Sequence, residues 1–184
     1  MASTTGRFLC AAAALLDPNF RLTVVWILDH DDEGAFGLVV NRPSEIPVAE
    51  ALPQWSALTT APEHVFLGGP VGTDSAFALG RLGRDHALPG SIRPAPLGLC
   101  VVDLDGDPDD LRAVLEGFRV FAGYAGWGAG QLDDELEAGG WIVLDATADD
   151  VLSGDPASLW HELMRRAGGE LARFANYPDS PWLN

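Results

Sequence analysis

Leu22-Thr23-Val24-Val25-Trp26-Ile27-Leu28 is apolar at nearly every position. A strand apolar on both alternating faces suits the middle of a sheet that is covered on both sides. Asp29-His30-Asp31-Asp32-Glu33-Gly34 is a polar turn, and Phe36 to Val40 returns as a second strand that Asn41-Arg42-Pro43 ends. Together they predict a hairpin. Phe8 to Leu16 reads as an earlier strand, and Val65-Phe66-Leu67, Ala76 to Leu79 and Leu97 to Leu104 as later ones. Pro43, Pro47 and Pro53 confine any helix between them to one or two turns. Gly80 to Pro96, rich in Gly, Pro and Arg, reads as a long surface loop.

Helical spacing comes later in the chain. Asp107-Pro108 is a cap followed by Pro at a first helical position, and Leu111, Val114 and Leu115 form one stripe, which predicts a helix there. Phe118 to Tyr124 reads as a strand broken by Gly126-Trp127-Gly128-Ala129-Gly130. Gln131 to Glu137 is a short acidic helix with Leu132 and Leu136 inward, and Trp141 to Leu144 is the last strand. Asp155-Pro156 opens a helix with Leu159, Trp160, Leu163, Met164 and Ala167 inward, and Gly168-Gly169 stops it. Strands thus come early and helices late, with no internal repeat or interdomain linker, and the chain is expected to form a single domain over 1–176 with 177–184 as a C-terminal tail.

Composition narrows the function classes. The chain has 184 residues, 47% of them hydrophobic, and a net charge of −16. That size holds a core without disulfide or metal. The eleven basic residues are all Arg, and Arg165-Arg166 is the one basic pair. A −16 chain repels a phosphate backbone before any contact forms, so direct nucleic-acid binding is not expected. No run approaches the roughly 20 apolar residues of a membrane helix, which leaves the cytoplasm as the expected location. Cys10 and Cys100 lie in apolar runs and read as buried, reduced thiols.

Candidate chemistry is sparse. Asp103 to Asp110 suggests calcium, but an EF-hand needs Gly and Glu where Pro108 and Val114 stand. Gly123 to Gly130 misses both phosphate-loop spacings. His161-Glu162-Leu163-Met164-Arg165 lacks the second His of a zinc helix. His30 among Asp29, Asp31, Asp32 and Glu33 offers an acid–base or metal reading, and a solvated loop accounts for the same run. No cofactor or metal is expected, and the chain is expected to stay folded in chelator.

Three segments together resemble the bacterial YqgE/AlgH family. They are Leu16-Asp17-Pro18-Asn19-Phe20 through Asp29-His30 to Gly37-Leu38-Val39-Val40-Asn41-Arg42-Pro43; Leu67-Gly68-Gly69-Pro70-Val71; and Gly123-Tyr124-Ala125-Gly126-Trp127 with Gly130-Gln131-Leu132, Glu135 and Trp141. Ala13 departs from the family's common Pro. The resemblance implies an α+β fold of coiled, branching, mostly antiparallel β-sheets with a barrel-like core and a few flanking helices. It implies no established reaction, although members are often labelled transcriptional regulators. It carries His30, Asn41, Arg42, Tyr124, Trp127 and Gln131 over as candidate ligand-binding residues. The glycines on either side of Trp127 suggest that its ring packs on the turn as a cleft wall, and an ordinary core residue is the alternative reading. The leading expectation is a non-enzymatic module that binds a small molecule or a protein. The alternatives are an enzyme with a cleft around His30 and its acids, and a regulator that contacts DNA.

Overall fold

The doubly apolar run lies where its pattern puts it in the computed structural model, which describes residues 3–15, 17–83 and 89–177. β2 (Val24–Asp31) is flanked by β1 (Arg7–Ala11) and β3 (Gly34–Val39), both antiparallel to it. Val24 and Trp26 enter one core cluster, and Val25 and Ile27 enter another on the opposite face. Cys10 is fully buried, and burial pushes its thiol well above the usual range.

Among the described residues, ten strands join one sheet, which curls into a half-barrel. Its order is β10 (Trp141–Asp145), β1, β2, β3, β9 (Leu115–Gly128), β6 (Val71–Leu82), β8 (Leu99–Val102) and β7 (Ile92–Pro94). The sheet branches at β9. That strand pairs along most of its length with β6, and its other edge takes β5 (His64–Leu67) in parallel and then β3 in antiparallel sense. β4 (Pro43–Pro47) hangs from β5.

Helices close the two faces. α1 (Val48–Ala51) fits between the prolines as a single turn. α2 (Gln131–Glu137) lies on the Val25–Ile27 face and buries Leu132. α3 (Ala148–Val151) and α4 (Leu159–Ala167) lie on the other face. α4 buries Leu159, Trp160, Leu163 and Met164 but leaves Ala167 exposed. The Trp160 indole also donates to the carbonyl of Ala11 at 3.0 Å, so this helix is fixed to β1 by a hydrogen bond as well as by apolar contact. No described helix is long and apolar enough to cross a membrane.

Three local readings are corrected. The stripe at Leu111–Leu115 is not a helix: Asp107 does cap, accepting from the Asp109 amide at 2.9 Å, but it opens only a 3₁₀ turn at Pro108–Leu111, and Leu115 already begins β9. Gly126-Trp127-Gly128 does not break β9 but forms its last residues, paired with β3. His30 is not in a loop; β2 continues to Asp31, so the turn is only Asp32-Glu33. Part of the loop expected over Gly80 to Pro96, the tail beyond Tyr177, and Leu16 lie outside the described residues.

Candidate functional site

The glycines of the second and third recognised segments explain one another. Gly68 donates to the Ala122 carbonyl and accepts from the Val39 amide, each at 2.8 Å, so it joins β3 and β5 end to end along β9. A Cβ on Gly69 would fall 2.2 Å from the Tyr124 backbone, and one on Gly68 2.3 Å from the Gly123 carbonyl. Two backbones cross here at a distance only glycine permits.

Trp127 and Gln131 belong to a closed polar knot over this crossing. Trp127 is 7% exposed. Its indole donates to Glu135 Oε2 at 3.0 Å, and the Trp141 indole donates to the same oxygen at 2.8 Å. Gln131 accepts from the Gly128 amide at 3.1 Å and donates to Glu135 Oε1 at 3.0 Å. Gln131 therefore orders the turn, as its position at the helix start suggests. Phe20 stacks on Trp127 and meets Trp141 edge-on. Trp127 is thus a buried residue with a satisfied N–H that also borders a hollow of about 260 Å³.

His30 is turned toward the same knot by a bulge. The β2–β3 register slips between Ile27 and Asp29, leaving Leu28 as the extra residue. A slip of one residue exchanges the faces of everything beyond it. His30 therefore shares the α2 face with Ala35 and Trp127, its partners across the sheet. Its side chain is 7% exposed; Nδ1 accepts from the Thr4 amide at 3.3 Å and lies 3.0 Å from the Thr4 hydroxyl. That assigns the proton to Nε2, which faces Asp133 Oδ1 at 3.8 Å. Asp29, Asp31 and Glu33 line a hollow of about 260 Å³ that Ala35 and Trp127 also border, and His30 is not in its lining. Among the described residues, no three His, Cys, Asp or Glu side chains are placed to hold a metal.

Asn41 and Arg42 fasten the segment before β2. Asn41, 9% exposed, accepts from the Val24 amide at 2.8 Å and donates to the Leu22 carbonyl at 2.9 Å. Arg42 donates to the carbonyls of Pro18, Asn19 and Arg21. Burial holds its pKa below the ordinary value, against the opposing pull of Asp17. Arg42 also borders a hollow of about 220 Å³ with Leu67, Pro70 and Thr73.

Tyr124 leads elsewhere. It packs against Phe36 at 4.9 Å and Phe77 at 5.6 Å between ring centres, on the face opposite Trp127. Phe36 and Phe77 wall an apolar slot of about 90 Å³ with Leu28, Leu38, Leu79, Val101 and Arg93. The slot shares Phe77, Arg93 and Val101 with a groove of about 670 Å³ that also touches Gln54, Ser91, Asp103 and Asp105. The groove follows from register: Leu79, Val101 and Arg93 are paired across β6, β8 and β7 and so share one face.

The six candidate residues are thus spread over three places: the knot, the Arg42 hollow, and the aromatic edge of the slot. Sequence reasoning does not single out Phe77, Arg93 or Val101, and it meets Asp103 only as the start of the failed calcium pattern. They are far apart along the chain, and only the pairing of three strands joins them.

A half-barrel of mostly antiparallel strands with a glycine crossing at β9 defines a class of α+β proteins. A family model described as AlgH-like matches residues 8–172, and the chain belongs to that family. A "UPF0301 protein" of Streptomyces avermitilis is 46% identical over 193 residues, covering 100% of this chain and 97% of its own length. One from Mycobacterium tuberculosis is 46% identical over 94% of this chain and 87% of its own. A crystal structure of a Corynebacterium diphtheriae protein superposes with a TM-score of 0.87 at 29% identity, covering 94% of this chain and 92% of that one. The solution structure of the AlgH protein from Pseudomonas aeruginosa gives 0.71 at 29% identity, over 97% and 96%. These matches carry a family and a fold, and no reaction.

Proposed function

We propose that the chain is a non-enzymatic binding module that takes a small molecule in the groove formed by β6, β7 and β8. One observation carries this reading. On the α2 face the Trp127, Trp141, Gln131 and Gly128 donors are spent on Glu135 and Gln131, whereas the groove sets charged side chains with unspent donors and acceptors beside apolar surface. A concave site of about 670 Å³ lies within the roughly 300–1,000 Å³ usual for ligand pockets, which combine apolar lining with a few polar anchors. The net charge of −16 favours a neutral or locally complementary ligand over a polyanion such as DNA.

The test is a titration of isotope-labelled protein with pooled metabolites, read by amide chemical shifts. Shifts clustered at Phe77, Arg93 and Val101 support the reading. Ligands that shift only the Arg42 hollow, or none that shift the groove, overturn it.

A further inference from the structure

Three features of the groove define a ligand more narrowly than its volume does, resting on the proposal that it is a binding site. The first is the slot. Its floor is Leu38 and Leu79, which are 1% and 0% exposed, and its walls are the half-buried Leu28, Phe36, Phe77 and Val101. About 90 Å³ is smaller than the roughly 150 Å³ cavity that accepts benzene, so the slot suits a small branched alkyl group better than an aromatic ring.

The second is Arg93 at the slot's mouth. It is exposed on the edge strand β7, and among the described residues its side chain makes no hydrogen bond or ion pair. Its guanidinium offers the planar fork that matches a carboxylate.

The third is Asp103. The Asp103 amide donates to the Ser91 carbonyl at 2.8 Å, which continues the β7–β8 pairing one step past Val102. Asp103 is two residues beyond Val101, the partner of Arg93, so the two charges stand diagonally on one face, roughly 7–8 Å apart at the backbone. Asp103 Oδ1 accepts from the Asp105 amide at 3.0 Å, which leaves Oδ2 free. A cation site and an anion site thus flank a small apolar slot. Asp105 also lines the groove, so a simple anion meets net repulsion there, and a zwitterion does not.

We propose that the groove binds a free α-amino acid with a branched aliphatic side chain: the side chain in the slot, the carboxylate on Arg93, and the ammonium on Asp103. A peptide end carries only one of the two charges and is excluded by the same pair.

Isothermal calorimetry and amide shifts with L-leucine test this on the full chain. Leucine is expected to bind and to shift Phe77, Val101 and Arg93. Leucinamide lacks the carboxylate and N-acetyl-leucine lacks the ammonium; each is expected to bind about tenfold more weakly or worse, the usual effect of losing a hydrogen bond to a charged group. Arg93→Gln and Asp103→Asn should each weaken leucine to a similar degree, and Asn keeps the oxygen that holds Asp105. Phenylalanine should bind more weakly than leucine. N-acetyl-leucine binding as tightly as leucine would overturn the proposal, as would phenylalanine doing so. If leucine fails while another metabolite shifts the same residues, the amino-acid assignment falls and the binding-module reading stands. If nothing shifts the groove, both fall. The ligand-side changes need no variant to fold.

Discussion

The α2 face and the groove belong to one sheet, in which β9 joins β3 to β6, yet they handle polar groups in opposite ways. On the α2 face, two indoles, a glutamine and a backbone amide converge on Glu135 and Gln131, and every one of these donors has an acceptor. In the groove, Arg93 and Asp103 face water. Buried polar groups without partners cost about 1–3 kcal/mol each, so a closed region must be self-satisfied. An open region has no such constraint and can keep its donors and acceptors for something else. Several of the most recognisable residues of this chain are held in hydrogen bonds within the fold, and the groove proposed for a ligand lies outside the recognised segments.

That contrast can be broken by measurement. The largest effect is expected at Trp127: Trp127→Ala should cost roughly 3–5 kcal/mol in a denaturant melt with an unchanged m-value, as for a buried large aromatic. A loss of only about 1–2 kcal/mol would mean the knot is more open than its hydrogen bonds indicate. Gly69→Ala forces a Cβ against the Tyr124 backbone, and about 3 kcal/mol is expected in the same assay because main chain cannot step aside. Asn41→Leu leaves the Val24 amide and the Leu22 carbonyl unpaired; roughly 2 kcal/mol should be lost, with faster hydrogen exchange at Val24.

A smaller effect sharpens the comparison from the groove side. Cys100 lies on β8 beside Val101 but points inward, fully buried, and burial raises its thiol from 9.0 to about 11. A thiol that ionises more easily unfolded than folded makes the unfolded state lose its proton first. Stability from this group is complete below about pH 9 and falls as pH rises toward 11, by at most about 1.4 kcal/mol per pH unit. Melts from pH 8 to 11 should show a shallower decline in Cys100→Ala than in the parent. The smallest change is expected for Arg93→Gln and Asp103→Asn, which should alter stability by less than about 0.5 kcal/mol. A large loss from either would place it in the scaffold after all.

Much of this architecture is legible in the order of residues. β2 announces a doubly covered strand through its unbroken apolar run, and α4 announces its buried side through spacing and its end through Gly168-Gly169. The misreadings share a cause. Asp107-Pro108 opens a helix or a 3₁₀ turn with the same cap, and the choice between the two is made by β9, which recruits Leu115. Gly126 and Gly128 look like breakers in one dimension. In space they are the last residues of β9, paired with β3; the glycine that the close approach requires is Gly34, where a Cβ would meet the Trp127 carbonyl at 2.2 Å, while a Cβ on Gly128 would meet nothing within 4 Å. His30 is visible, but its partner is not: a bulge at Leu28 turns it from Asp29 and Asp31 toward Asp133. The groove is least legible, since Phe77, Arg93 and Val101 become neighbours through pairing across three strands.

The three-way pairing of β9 also bears on how the chain is made. β3, β5 and β6 all precede it, and among the described residues none of these three pairs as a strand with either of the other two. A ribosome releasing this protein must extrude residues past 128 before those strands have a common edge. Until then they are held together only by distant contacts whose loop-closure cost is high, the condition that slows folding in proteins with non-local topology. During that interval the apolar runs of β2 and β6 stand open to other chains. A circular permutant that begins at β9 would offer the shared edge first, and it should fold faster than the parent at similar stability.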